Sequence, residues 1–257
     1  MNIDQYVLDK DRDKLAIELF RKRLAEKGAS EGYIQTQIDY IFPLDGGFIE
    51  RFNLLEQYLK QDHYHSLLVS GSAVGSELFV GIKRGFKEVS GTEIWPIYNE
   101  IARMRFNTLK NIFVYDVTGV TLPFENAKFS VIMSGHIIEH TMDPEQYLCE
   151  HFRVLKPGGL FFLEFPDRKH KIELHTGTIS FERFPLFVRN TALRIMSSPL
   201  NHNLETRAKY NAVLKTLLPI GQKDVTFWLK KNNIKFEIIY TEEPHPGFKR
   251  MILRKCE

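Results

Sequence analysis

Residues 67–85, LLVSGSAVGSELFVGIKRG, constrain this chain more than any other stretch. Leu67, Leu68 and Val69 form a short apolar run of the kind a parallel sheet buries on both faces. Gly71, Ala73 and Gly75 then place small residues where the backbone must turn sharply and let a ligand approach. A helix starting near Ser76 would aim its free N–H groups and positive dipole end at that turn. A buried strand, a glycine turn and a helix together make a cradle for a nucleotide-like group.

The segments that follow keep the same rhythm. Strands are expected at 86–92, ending on Glu93, at 112–115, ending on Asp116, at 128–133 and at 160–165. Helices are expected after Pro96 and after Asp143-Pro144, the second stopping at Pro157-Gly158-Gly159. A further helix is read from Asp224 as its N-cap, and FEIIYT and RMILRK are two last strands. This alternation predicts an α/β fold with a mostly parallel sheet.

Residues 1–65 read as helical and pack on that core. Leu15, Leu19 and Leu24 recur near helical spacing, Ser30 is a candidate N-cap, and Phe48, Phe52, Leu55 and Leu59 form one stripe. The domain proper is read as 66–257. Residues 167–220 interrupt its alternation for longer than a plain connection should, so a helical insertion or lid is expected there. Residues 167–218 hold nine Lys or Arg against four acids, an excess that more than accounts for the net charge of +3. Phe181, Phe184, Phe187 and Tyr210 lie among those bases; packing inside a helical cap is the expected fate of most of the phenylalanines.

The remaining composition narrows the setting. The two cysteines have no framework spacing, the first residues lack an apolar signal core, and no run is long enough to span a membrane. A cytoplasmic protein is expected. A small net charge without a reading module argues against a nucleic-acid partner, and a homo-oligomer is compatible with these features. No set of ligating side chains has metal spacing.

The glycine turn departs from the dinucleotide pattern G-x-G-x-x-G, since Ala73 and Ser76 take the second and third glycine places. Glu93 follows Gly71 by 22 residues, where an acid at a strand end can accept from ribose hydroxyls. Asp116 would face the same crevice and could accept from an exocyclic amine. The plainer readings are a solvated glutamate and a turn aspartate, and the two together weigh against them.

From Leu67 to Phe165 the chain resembles the class I S-adenosylmethionine-dependent methyltransferases, in particular the type 11 or UbiE-like group. VSGTEI, LPFENAKFSVI and IIEHTMDPEQYLCEHFRVLKPGGLFFLEFP carry the resemblance, with RVLKPGG its most specific part. It implies a Rossmann-like three-layer sandwich with a seven-stranded sheet whose last strand is antiparallel. It also implies S-adenosyl-L-methionine as cofactor and S-adenosyl-L-homocysteine as product. Gly71, Ser72, Ala73 and Gly75 would surround the methionine part, Glu93 the ribose, and Asp116 with Val117 the adenine. Ser134, Gly135 and His136 would line the methyl end, with His136 and His140 as candidate catalytic residues. His170 and His175 could reach over the acceptor from the insertion.

The chain departs from the family at Val69, where an acid commonly helps hold the cofactor's amino end, at Ala73 for the middle glycine, and at Ser130 for an aspartate. The expected activity is methyl transfer to a small molecule, first of all to oxygen on a sugar or another anionic metabolite. The alternative is a degenerate domain that keeps the fold and serves as a binding or regulatory partner.

Overall fold

The computed structural model describes residues 8–44, 47–168, 172–173, 178–179, 184, 186–199, 207, 210 and 217–257. Three helices come first: α1 (Lys10–Glu26), α2 (Glu31–Ile41) and α3 (Phe48–Glu56). Asp9 caps α1 by accepting from the Arg12 N–H, and Ser30 caps α2 by accepting from Tyr33. A 3-10 turn at Gln61–His65 feeds β1 (Ser66–Ser70), which leads into α4 (Ser76–Lys83). Then follow β2 (Glu88–Glu93), α5 (Pro96–Phe106), β3 (Ile112–Asp116), β4 (Phe129–Gly135) and α6 (Pro144–Val154). The chain continues with β5 (Leu155–Pro166), the two-residue strands β6 (Ile172–Glu173) and β7 (Thr178–Ile179), and α7 (Leu186–Met196). It finishes with α8 (Gln222–Lys231), β8 (Phe236–Glu242) and β9 (Phe248–Lys255).

Seven strands form one sheet in the order β3-β2-β1-β4-β5-β9-β8. The pairs from β3 to β5 are parallel, and β9 is antiparallel to both β5 and β8. Helices pack on both faces, giving the expected Rossmann-like sandwich. On one face Leu68, Ile132, Phe161 and Leu163 meet Tyr147, Leu148 and Phe152 of α6 and Val225 and Leu229 of α8. On the other, Val69, Met133, Phe162 and Ile252 meet Phe52 and Leu55 of α3 and Leu78 and Ile82 of α4. Each such fully buried side chain is worth roughly 1.5–3 kcal/mol of transfer free energy, so these two faces supply most of the driving force.

The N-terminal helices form a third cluster, with Ala16, Phe20, Ile34 and Ile38 against Val74, Ile97 and Ile101. Ala16 and Phe20 are the buried stripe of α1, while Leu15 is exposed. Leu19 and Leu24 pack against the same cluster, so of the three leucines only Leu15 lies off the buried stripe. Arg105 of α5 fastens this layer to the glycine turn. It donates to the carbonyls of Val74 and Phe42 and to Ser76 Oγ, and pairs with Asp13.

Other sequence expectations need correction. Helix α6 ends at Val154, and Pro157-Gly158-Gly159 lies within β5. The pairing of β5 with β4 skips register between Phe129 and Val131, so the glycines absorb an irregularity in a strand rather than stop a helix. Asp224 stands inside the first turn of α8, where its carboxylate accepts from the Gly221 N–H. His151 of α6 is fully buried and stacks on Phe161. Burial lowers its pKa to about 4, so it stays neutral.

Within the insertion, α7 is helical as expected, and Tyr210 is buried with Leu193 and Leu217. Phe184 and Phe187 are exposed, contrary to the packed cap foreseen for most of the phenylalanines. Phe181, His170 and His175, like the Asp45-Gly46 part of the turn before α3, lie outside the described residues. Among the described residues no helix is long and apolar enough to cross a membrane.

Candidate functional site

The strand register lines up one residue from each strand in a single row across the sheet. Glu93 pairs with Asp116, Gly135 with Glu164, Glu164 with Arg250, and Arg250 with Glu242. Ser70 pairs with both Thr92 and Ser134, so Gly71 stands one step beyond it, level with Glu93 and Gly135. The row therefore runs Asp116, Glu93, Gly71, Gly135, Glu164, Arg250, Glu242. Two acids hold one end, two glycines the middle, and an ion cluster the other. The glycines stand at the carboxyl ends of β1 and β4, where the strand order switches direction and open α/β sheets bind ligands.

At the acid end, Glu93 is buried and holds three backbone N–H groups. One oxygen accepts from Ile94 (2.7 Å) and Trp95 (3.1 Å), the other from Ala73 (3.1 Å). Burial raises its pKa, and those three bonds oppose the rise. A carboxylate has about four acceptor positions, so one is left for a ribose hydroxyl. Asp116 is more open and is held by Arg103 and by Asn99 Nδ2 at 2.7 Å. The Arg103 hydrogen bond comes first in keeping its pKa below the usual range. Asn99 also donates to the Glu93 carbonyl, clamping the ends of β2 and β3 together, and the Val117 N–H donates to that same carbonyl.

The glycine turn has three consecutive features of strain or close approach. Gly71 and Gly75 have positive φ, and so does Ala73 at +43°, a region that costs an L side chain energy. A Cβ on Gly75 would stand 2.7 Å from the Phe106 ring. Ser72 turns its hydroxyl inward toward Gly91 and finds no partner for it among the described residues. A Cβ on Gly71 would collide with Ile137 at 2.0 Å, and one on Gly135 would stand 2.6 Å from Arg51 Nη1. These two glycines are thus points of close approach, covered here by side chains of the chain itself.

Glu164 gathers the ion cluster. Arg51 Nε (3.0 Å) and Nη2 (2.8 Å) donate to one of its oxygens, and Arg250 Nε donates to the other. His136 Nε2 lies 3.0 Å from the first oxygen. Burial opposes the charge on Glu164, but His136, Arg51 and Arg250 outweigh it and hold the pKa well below the usual carboxylate range. Glu77 of α4 lies 3.7 Å from Arg51 Nη1, and Glu50 and Glu242 bind Arg250.

His136 sits edge-on against Phe248 with Nδ1 3.7 Å from Glu139. Burial disfavours its cation, yet hydrogen bonds to Glu139 and Glu164 raise its pKa. Its Nε2 is placed to donate to Glu164. His140 lies in the 3-10 turn Ile138–His140, its ring half exposed and 3.9 Å from Glu139. Ser134 is fully buried on the opposite face of β4, where its hydroxyl meets Tyr147, which also donates to Ser70. Only the backbone of Ser134 is near the crevice. Arg153 of the RVLKPGG run ties down the carbonyls of Leu122 and Phe124 and pairs with Glu150, a structural role.

Sequence reasoning missed Arg51, Glu77, Asn99, Arg103, Glu164 and Arg250. Glu164 alone left a signal, as the only charge in the otherwise apolar run LFFLEF. Among the described residues no group of ligating side chains could hold a metal.

The methyltransferase-domain family matches residues 68–163. A probable S-adenosylmethionine-dependent methyltransferase of Mycolicibacterium smegmatis is 43% identical over 47 residues, 18% of each chain. A demethylmenaquinone methyltransferase of Tropheryma whipplei is 30% identical over 122 residues, 43% of this chain and 51% of that one. The chain thus matches about half or less of the length of these curated relatives. An S-adenosylmethionine-dependent methyltransferase structure from Mesorhizobium loti superposes with a TM-score of 0.59 at 14% identity, covering 83% of this chain and all of the other, a likeness of fold. The family's cofactor is S-adenosylmethionine, and the residues present fit it at the ribose end through Glu93. Over residues 68–163 this chain matches the methyltransferase-domain family, and its relatives include S-adenosylmethionine-dependent methyltransferases.

Proposed function

We propose that the chain transfers a methyl group from S-adenosylmethionine to a small-molecule acceptor. The observation that carries this reading is the row itself, with a buried acid beside the glycine turn and glycines at the switch point. The bound cofactor would supply a methyl already activated on a sulfonium. What the protein must add is alignment, a proximity effect worth roughly 7–11 kcal/mol in favourable cases. Glu93 would hold the ribose, Asp116 and the Val117 backbone would border the adenine, and the turn from Gly71 to Gly75 would surround the methionine part. His136, held by two glutamates against Phe248, would border the acceptor as a donor rather than as a base.

The acceptor would enter between the end of β5 and the insertion. Both roots of the insertion stand there, since Arg168 donates to the Ile220 carbonyl and Leu218 to that of Glu139. An anionic acceptor, with oxygen as the methylated atom, is supported by the insertion's basic excess. Of those bases, Arg168 is spent on Asp224 and Arg189 on the Leu217 carbonyl. A small molecule suits this site better than a nucleic acid, and a cytoplasmic setting goes with the two unpaired cysteines. Incubating the protein with methyl-labelled cofactor and a cell extract, then identifying the labelled product, tests the reading. Label transferred by the wild type and lost in Glu93→Ala supports it.

One observation favours a second reading, a degenerate domain that binds a partner. Ile137 lies on the face of Gly71 that the family leaves to the cofactor. Failure to bind S-adenosylmethionine would select that reading.

A further inference from the structure

The methionine part of the cofactor carries an α-carboxylate and an α-ammonium, and the first-strand acid that commonly meets the ammonium is absent here. Val69 holds that place and is fully buried in apolar contact with α3 and α4. The same face of the sheet is nevertheless rich in charge just beyond Val69. Arg51 precedes the buried Phe52 of α3, Glu77 precedes the buried Leu78 of α4, and both charged residues lie near the carboxyl ends of β1 and β4. Both are largely withdrawn from water, which is expensive for ions without a purpose or a partner.

Their geometry is that of a clamp not yet closed. Arg51 spends Nε and Nη2 on Glu164 and lays Nη1 over the side-chain face of Gly135. The Nη1 to Glu77 separation of 3.7 Å is longer than a hydrogen bond. A guanidinium fork suits a carboxylate, and a carboxylate an ammonium. We propose that Arg51 and Glu77 bind the amino-acid end of the cofactor, Arg51 taking its α-carboxylate and Glu77 its α-ammonium, in place of the acid that Val69 lacks. This rests on the methyltransferase reading. The N-terminal helices then complete the cofactor site rather than merely cover it.

Calorimetric titration with two ligands tests the proposal. S-Adenosylhomocysteine carries the amino-acid end, and 5′-methylthioadenosine keeps the adenosine and sulfur without it. In Arg51→Gln and Glu77→Gln, affinity for S-adenosylhomocysteine should fall by about tenfold or more, as expected for a lost charge-assisted hydrogen bond. Affinity for 5′-methylthioadenosine should stay within about twofold, which also shows that the variants fold. Arg51→Lys keeps the charge without the fork and should lose less than Arg51→Gln. Variants that bind S-adenosylhomocysteine as the wild type does, or lose both ligands equally, overturn the proposal alone. A wild type that binds neither ligand overturns the methyltransferase reading as well.

Discussion

Glu164 and Arg250 stand directly opposite each other in the β5–β9 ladder, and the arginine donates Nε to the glutamate across it. Both are almost fully buried, and Arg51 completes the pair from α3. Removing one partner of such a set leaves an uncompensated buried charge. Glu164→Gln should therefore cost about 3–5 kcal/mol in denaturant unfolding. A loss under about 1 kcal/mol would mean that water already screens the cluster.

The same cluster predicts a pH dependence. The pKa of His136 is raised in the folded state, so the stability it contributes is complete below its unfolded value, near 6.5, and is lost as pH rises through the folded value. Glu164 has a depressed pKa, so its contribution is complete above about 4.3 and fades only as pH falls toward its folded value. The gap in unfolding free energy between the wild type and His136→Asn should be larger at about pH 5.5 than at about pH 9. A gap that widens with pH would contradict a charged His136.

The glycine turn predicts opposite effects two residues apart. Ala73 holds a positive φ that glycine would adopt freely, so Ala73→Gly should stabilise by about 1 kcal/mol. Gly75 combines a positive φ with the Phe106 ring, so Gly75→Ala should destabilise by about 1–3 kcal/mol. Thermal unfolding of both variants measures the pair. Equal signs would contradict the turn geometry.

Tyr147 links Ser70 and Ser134 beneath the sheet, on the face away from Arg51. Tyr147→Phe should cost about 1–2 kcal/mol of stability. Its affinity for S-adenosylhomocysteine should be unchanged. A tenfold fall would return the Ser134 hydroxyl to the cofactor site.

The acid end of the row was legible in the sequence because each acid is the last residue of its own strand, and a strand end is a local signal. Glu93 and Asp116 could be placed that way, as could the glycine turn. The ion cluster was not, because its pairs join residues far apart in the chain: Arg51 and Glu164 are separated by 113 positions, Arg250 and Glu164 by 86. A lone glutamate in LFFLEF announced a buried partner without naming it. The side of β4 on which Ser134 lies follows from the pleat, since alternate residues face opposite ways. The burial of His151 was not legible either, because it comes from packing between Tyr147 and Phe161.

The central claim is that the row from Asp116 to Glu164 is a cofactor site with Glu93 at the ribose. Calorimetric titration of the wild type and Glu93→Gln with S-adenosylmethionine tests it most directly. The wild type should bind one equivalent, and Glu93→Gln should bind at least about tenfold more weakly, as a lost charged hydrogen bond requires. No binding by the wild type at millimolar cofactor, or equal binding by both proteins, would contradict it.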